Sequence, residues 1–207
     1  MVERILTALA GLLLAVQPTT QPFPGDTADI TTHEAGTASD LRHEFPVRGS
    51  ASYAPAHHDY PATDIFAACG GRMVSPVDGV VLELSRRDRW DPATNRGAQR
   101  GGKFVSVRGQ DGVRYYLSHL SGIRRELRPG MRVRAGQHLA WVGRTGSARH
   151  TPCHVHLGLS PVCRGTGQWW VRRGVVAPYP FLRSWEPGGN RSPARAVAAW
   201  KRDYGCP

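Results

Sequence analysis

No apolar run in this chain is long enough to cross a bilayer. The stretch that comes nearest, Ile5 to Val16, counts twelve residues, where a spanning helix needs ~20, so no stable membrane span is expected. It follows Arg4 and gives way to the polar Gln17-Pro18-Thr19-Thr20, which is the length and setting of the apolar part of a secretory signal. Glu3 dilutes the basic start, and no clean small-x-small cleavage site follows. Residues 1–16 are therefore expected to be a signal peptide or a short N-terminal apolar segment. Residues 17–44, rich in Thr, Pro, Asp and Gly, read as a linker. Internal repeats are absent, and 207 residues suffice for one domain with a substantial core, while two would be cramped.

Acidic residues are scarce, 16 against 27 Lys and Arg, for a formal charge of +11 and a pI near 10.4. That excess implies an anionic partner or surface. It is locally concentrated at Arg86, Arg87, Arg89, Arg96, Arg100 and Lys103, with Trp90 among them as a candidate stacking platform for nucleic acid. Asp88, Asp91, Pro92, Gly97, Gly101 and Gly102 interrupt the cluster and mark a long exposed loop, so nucleic acid is not the expected partner.

Cysteine is also sparse. Cys69, Cys153, Cys163 and Cys206 are an even number in a chain expected to be exported, so disulfides are the first expectation. A hairpin-like closure beyond Ser160-Pro161 would join Cys153 to Cys163, leaving Cys69 with Cys206. Cys153 precedes His154 and in a strand points to the opposite face, which argues against its joining the histidines in a metal site.

Glycine and proline are abundant, 24 and 16 residues. They separate strand-like runs at Arg72 to Pro76, Gly79 to Leu84, Phe104 to Val107, Val113 to His119, Arg132 to Val133, His138 to Val142 and His154 to Leu159. Asp78-Gly79, Asp111-Gly112 and Pro129-Gly130 supply the backbone angles that tight turns need. The expected class is mainly β, an antiparallel sheet or sandwich domain with a groove over residues 45–165. Residues 166–207 form a Trp-rich C-terminal extension packed on it, with Trp169, Trp170, Trp185 and Trp200 either in the core or presented to glycan. Ser192-Pro193 before Ala194 to Lys201 predicts a short capped helix.

Chemistry concentrates in histidine. In an extended His154-Val155-His156, both imidazoles face one way while Val155 and Leu157 face the other, which presents two nitrogens to one ion. Upstream lies His57-His58-Asp59-Tyr60-Pro61-Ala62-Thr63-Asp64, and between them His119, which alternation places on one face with Val113, Tyr115 and Leu117. Two imidazoles and one carboxylate suit zinc: they hold it tetrahedrally, leave one position for water and neutralise one of its two charges.

These three segments resemble, in order and spacing over residues 46 to 160, the lysostaphin/LytM family of zinc endopeptidases that cut peptidoglycan cross-bridges. Gly136-Gln137-His138 through Thr145-Gly146-Ser147, and Ser75-Pro76-Val77-Asp78-Gly79, are similar to the family's approach to its final site strand and to its hairpin after the Asp ligand. The resemblance implies that Asp64 and His156 bind Zn2+, with His154 and His119 handling protons and stabilising the transition state. The family's commonest pattern places its first His four residues before the Asp, where this chain has Tyr60. His58 and His57 are the candidates, and an even separation from Asp64 favours His58. Asp59 is an alternative carboxylate, although beside a ligand histidine it more often orients a neighbour or faces water. The implied protein is a secreted or cell-envelope hydrolase of peptidoglycan whose positive charge meets anionic cell-wall polymers. Its rivals are a non-catalytic cell-wall binding or regulatory module of the same fold, and a basic nucleic-acid-binding protein.

Overall fold

The computed structural model describes residues 41–164 and 168–207. The expected N-terminal apolar segment and the expected linker up to residue 40 lie outside the described residues, as does Gly167. No helix among the described residues is long and apolar enough to cross a membrane.

The body is antiparallel β with helices at its C-terminal end. Its strands are β1 (Ala51–Tyr53), β2 (Thr63–Ala67), β3 (Arg72–Val74), β4 (Gly79–Ser85), β5 (Phe104–Gly109), β6 (Val113–Ser118), β7 (Gly122–Ile123), β8 (Arg132–Val133), β9 (His138–Trp141) and β10 (His154–Pro161), followed by helices α1 (Trp169–Arg172), α2 (Tyr179–Trp185) and α3 (Ala194–Tyr204). A seven-stranded sheet runs β1-β2-β10-β6-β5-β4-β8, and a three-stranded sheet runs β3-β9-β7. All seven strand-like runs of the sequence form strands. β1, β2 and β7 are additional, short, and without strong alternation of their own.

Alternation decides the core. On β10, Val155, Leu157 and Leu159 are fully buried and belong to one cluster with Ile65 of β2 and Tyr115 and Leu117 of β6. Met73, Leu139 and Ala140 of the smaller sheet join it, as do Phe181, Leu182, Trp185 and Val197 of the helices. The C-terminal extension therefore shares the core of the β-body. Burial of each large apolar side chain is worth about 1.5–3 kcal/mol. The end of the expected linker is also bound to the body: the His43 ring stacks on Trp185 at 5.4 Å, its Nδ1 lies 2.9 Å from Asn190 Oδ1 and its Nε2 3.3 Å from Asp111 Oδ2.

The disulfides are Cys69–Cys153 and Cys163–Cys206, which corrects both expected pairings. β10 runs extended for eight residues, and at ~3.3 Å per residue it carries Cys153 and Cys163 to opposite ends of the strand, so no hairpin closes there. Cys69 leaves β2 beside Cys153 at the start of β10: His154 pairs with Phe66, and the Ala67 N–H donates to the Cys153 carbonyl at 3.2 Å.

Candidate functional site

β2, β10 and β6 lie side by side, and their register assembles one row of side chains. His156 is paired with Asp64 on one flank and with Ser118 on the other. The faces follow from the core: with Val155, Leu157 and Leu117 turned inward, His154, His156, Asp64, Tyr116 and Ser118 line a cavity of about 510 Å3 on the opposite side.

His119 reaches that cavity by a different route from the expected one. Strict alternation with Val113, Tyr115 and Leu117 would send its ring into the core. The residue instead stands just beyond β6 with φ +65°, a left-handed backbone that costs a non-glycine residue about 1–2 kcal/mol and swings the ring to the groove face. Its backbone N–H donates to the Gly101 carbonyl at 2.9 Å, and its ring Nδ1 lies 2.7 Å from the Thr145 carbonyl. The ring centroids of His119 and His154 are 4.9 Å apart.

Among the described residues, one group of metal-competent side chains converges: His57, Asp64 and His156 offer ligand atoms that all lie within 4.8 Å of one another. Of the two candidates His58 and His57, the converging group includes His57 and not the favoured His58. Residues 54–62 turn through bends instead of extending, so face parity counted back from Asp64 does not apply. His58 and Asp59 are both exposed at the cavity edge, while His57 turns inward. Tyr60 packs against His57 at 4.4 Å between ring centroids and against His156 at 5.8 Å.

Hydrogen bonds fix the rings. His156 Nε2 lies 2.9 Å from the Arg173 carbonyl, which can only accept, so the ring proton belongs there and the Nδ1 lone pair faces Asp64 Oδ1 at 2.9 Å. Two acceptors at that distance need a proton or a cation between them. His57 Nε2 lies 3.6 Å from Asp64 Oδ2, and His57 Nδ1 is buried without a hydrogen-bond partner. The donor chemistry of two imidazoles and a carboxylate fits a divalent ion such as zinc. In the same way, His154 Nδ1 lies 2.9 Å from the Pro152 carbonyl and His119 Nδ1 faces the Thr145 carbonyl, which leaves each Nε2 as a lone pair. His154 Nε2 is 3.9 Å from Asp64 Oδ2.

With a proton in the gap between His156 Nδ1 and Asp64 Oδ1, the electrostatics favour an ionised carboxylate beside weakly basic imidazoles. Burial raises the Asp64 carboxyl, but its hydrogen bond to His156 and the charges of His156, His154 and His57 outweigh this and hold it well below the usual carboxylate range. Burial, with the neighbouring His156, depresses His57 to about 4. Burial, with His156 and His154, depresses His119 to about 3. Burial pushes Tyr60 up to about 12, so its hydroxyl stays neutral.

Two contributors were not foreseen from the sequence. The C-terminal extension delivers the Arg173 carbonyl to His156, and its close approach depends on glycine: a Cβ at Gly158 would lie 2.2 Å from the Arg173 carbonyl oxygen, and one at Gly174 2.5 Å from that of Pro61. A glycine inside the fully buried β10 was the available signal of such an approach. The arginine-rich loop forms part of the rim through Arg100 and Gly101. It is pinned by Asp88, whose Oδ2 accepts from Gly146 N at 3.0 Å and from Arg149 at 3.2 Å. Trp90 in that loop lies under the Arg149 guanidinium at 5.1 Å.

Comparison with known proteins places these features in a family. The profile of Peptidase family M23 matches residues 58–166. A crystal structure of a candidate glycyl-glycine endopeptidase lytM from Ruminococcus gnavus is similar, with 25% identity and a TM-score of 0.54, covering 73% of this chain and 63% of that one. The antimicrobial peptidase lysostaphin from Staphylococcus simulans shares the fold, at 22% identity and a TM-score of 0.53, covering 73% of this chain and 58% of that one. The chain thus spans less than two thirds of the length of either protein. No curated protein sequence matches it.

Proposed function

The chain belongs to peptidase family M23, and on that premise we propose that it is a secreted or cell-envelope zinc endopeptidase hydrolysing peptide bonds in bacterial peptidoglycan. The observation that carries this reading is the convergence of His57, Asp64 and His156 on one point, beside two further histidines whose Nε2 lone pairs are available. Two disulfides and the basic charge of +11 agree with work outside the reducing cytoplasm on an anionic wall.

His57, Asp64 and His156 would hold the ion, with the Arg173 carbonyl fixing the His156 ring so that Nδ1 faces inward. Zinc bound there supplies a Lewis acid that polarises the scissile carbonyl and acidifies water. His154 Nε2, whose lone pair lies 3.9 Å from Asp64 Oδ2, takes the proton of the attacking water and passes it to the leaving amine. His119 faces the developing oxyanion. Because its Nδ1–H is committed to Thr145, its Nε2 donates there only when it carries a second proton drawn from solvent in the open cavity. Tyr116 and Ser118 floor the cavity between the rings.

The test is digestion of purified peptidoglycan, followed by release of amino groups. Activity should be present with zinc, lost with a chelator and restored by zinc. Undiminished digestion in the chelator overturns the zinc reading.

A further inference from the structure

We propose that Arg100 and Arg173 form a carboxylate clamp flanking the metal site, which selects peptides bearing free carboxylates beside the scissile bond over neutral ones such as oligoglycine. This deepens, and rests on, the peptidoglycan-peptidase reading. Both arginines line the cavity of the histidine cluster, and among the described residues neither forms an ion pair. Their neighbours do: Arg172 meets Glu83 at 3.0 Å, Arg114 meets Glu83 at 3.8 Å and Arg149 meets Asp88 at 3.2 Å. Arg100 and Arg173 line the cavity without such a partner.

Each is held in place by contacts with uncharged groups. Arg100 Nε donates to the neutral Asn95 Oδ1 at 3.0 Å, and its carbonyl accepts from Ser147 N at 2.9 Å. Arg173 stacks its guanidinium over Tyr60 at 4.1 Å and Trp169 at 5.2 Å, and its Nε is buried with no hydrogen-bond partner. A planar guanidinium fixed on aromatic faces presents a fork that matches a carboxylate, and less mobility is lost on pairing. With a divalent ion in place, the ion and both guanidinium groups outweigh the lining carboxylates, Asp59 and Asp64. A neutral substrate leaves that excess uncompensated.

The experiment compares digestion, by the zinc-loaded full chain, of peptidoglycan rich in free carboxylates with the same material after carbodiimide-driven amidation. The wild-type rate should fall roughly tenfold or more on amidation, the effect expected from losing one charge-assisted pair, and mainly through KM. Arg100→Gln and Arg173→Gln should each slow digestion of the native material and narrow the difference, with partial recovery in Arg100→Lys. Arg96→Gln, which removes the same charge from the exposed part of the loop, should preserve the difference. Equal wild-type rates on the two materials, or unchanged discrimination in both Gln variants, overturn the clamp while leaving the peptidase reading intact. Failure to digest either material counts against the peptidase reading itself, and the clamp falls with it.

Discussion

One wall of the cavity is made by β2 and β10, the other by residues 54–62 and the turn at Arg173, and they position their side chains by different physics. In the first wall, Asp64, His154 and His156 are set by strand register, backed by fully buried Ile65, Val155 and Leu157, and stapled at one end by Cys69–Cys153. In the second, His57 and Tyr60 sit on bends and are placed by ring packing, by the stacked Arg173 guanidinium and by a carbonyl that reaches across a gap cleared by glycine. A side chain can be removed from the strand wall without moving its neighbours. The loop wall holds only while its contacts are intact, so the two should respond differently to perturbation.

The largest contrast lies within the strand wall. His156→Ala should abolish zinc retention and digestion together, whereas His154→Ala should retain the metal and lose turnover by ~100-fold or more; metal analysis paired with peptidoglycan digestion separates them, and equal zinc loss in both would contradict the division of roles. Next, within the loop wall, His57→Ala should lose zinc while His58→Ala keeps it with near-normal activity, as equilibrium dialysis would show. A reversed outcome would restore the parity argument. Gly158→Ala tests the link between the walls: the added methyl displaces the Arg173 carbonyl, and zinc affinity should fall ~10–100-fold, the range for losing a group that orients a ligand, with a stability cost of about 1–3 kcal/mol.

Replacing Cys69 and Cys153 by Ser should lower stability by roughly 2–4 kcal/mol, read as a lower midpoint of thermal unfolding, with activity at low temperature largely kept because register still aligns the strands. A further contrast is the pH effect in metal-free protein. His57 and His119 titrate in the folded state near 4 and 3, both lowered from 6.5. The unfolded chain therefore binds more protons as pH falls below 6.5, and stability should decline through the window down to those folded values. Unfolding midpoints measured from pH 7.5 to 4 should fall and should flatten in a His119→Gln variant.

What was legible in the sequence follows the same division. Alternation in His154-Val155-His156-Leu157 correctly separated cavity from core, because a buried strand face fixes register. It failed for His119, which reaches the cavity only because its backbone leaves the strand at φ +65°, and it cannot choose between His57 and His58, because residues 54–62 have no strand geometry to count on. The disulfide pairing depended on how far β10 stays extended and on which strand lies beside it, both long-range facts. Arg173 entered the site through a fold-back that only the glycines at 158 and 174 hinted at.

The convergence itself is tested most directly by diffraction at the zinc edge from crystals of the zinc-loaded protein. One anomalous peak bonded to His57, Asp64 and His156 at ~2.0–2.2 Å is expected. A peak bonded through His58, or no ion shared by these segments, would contradict the account.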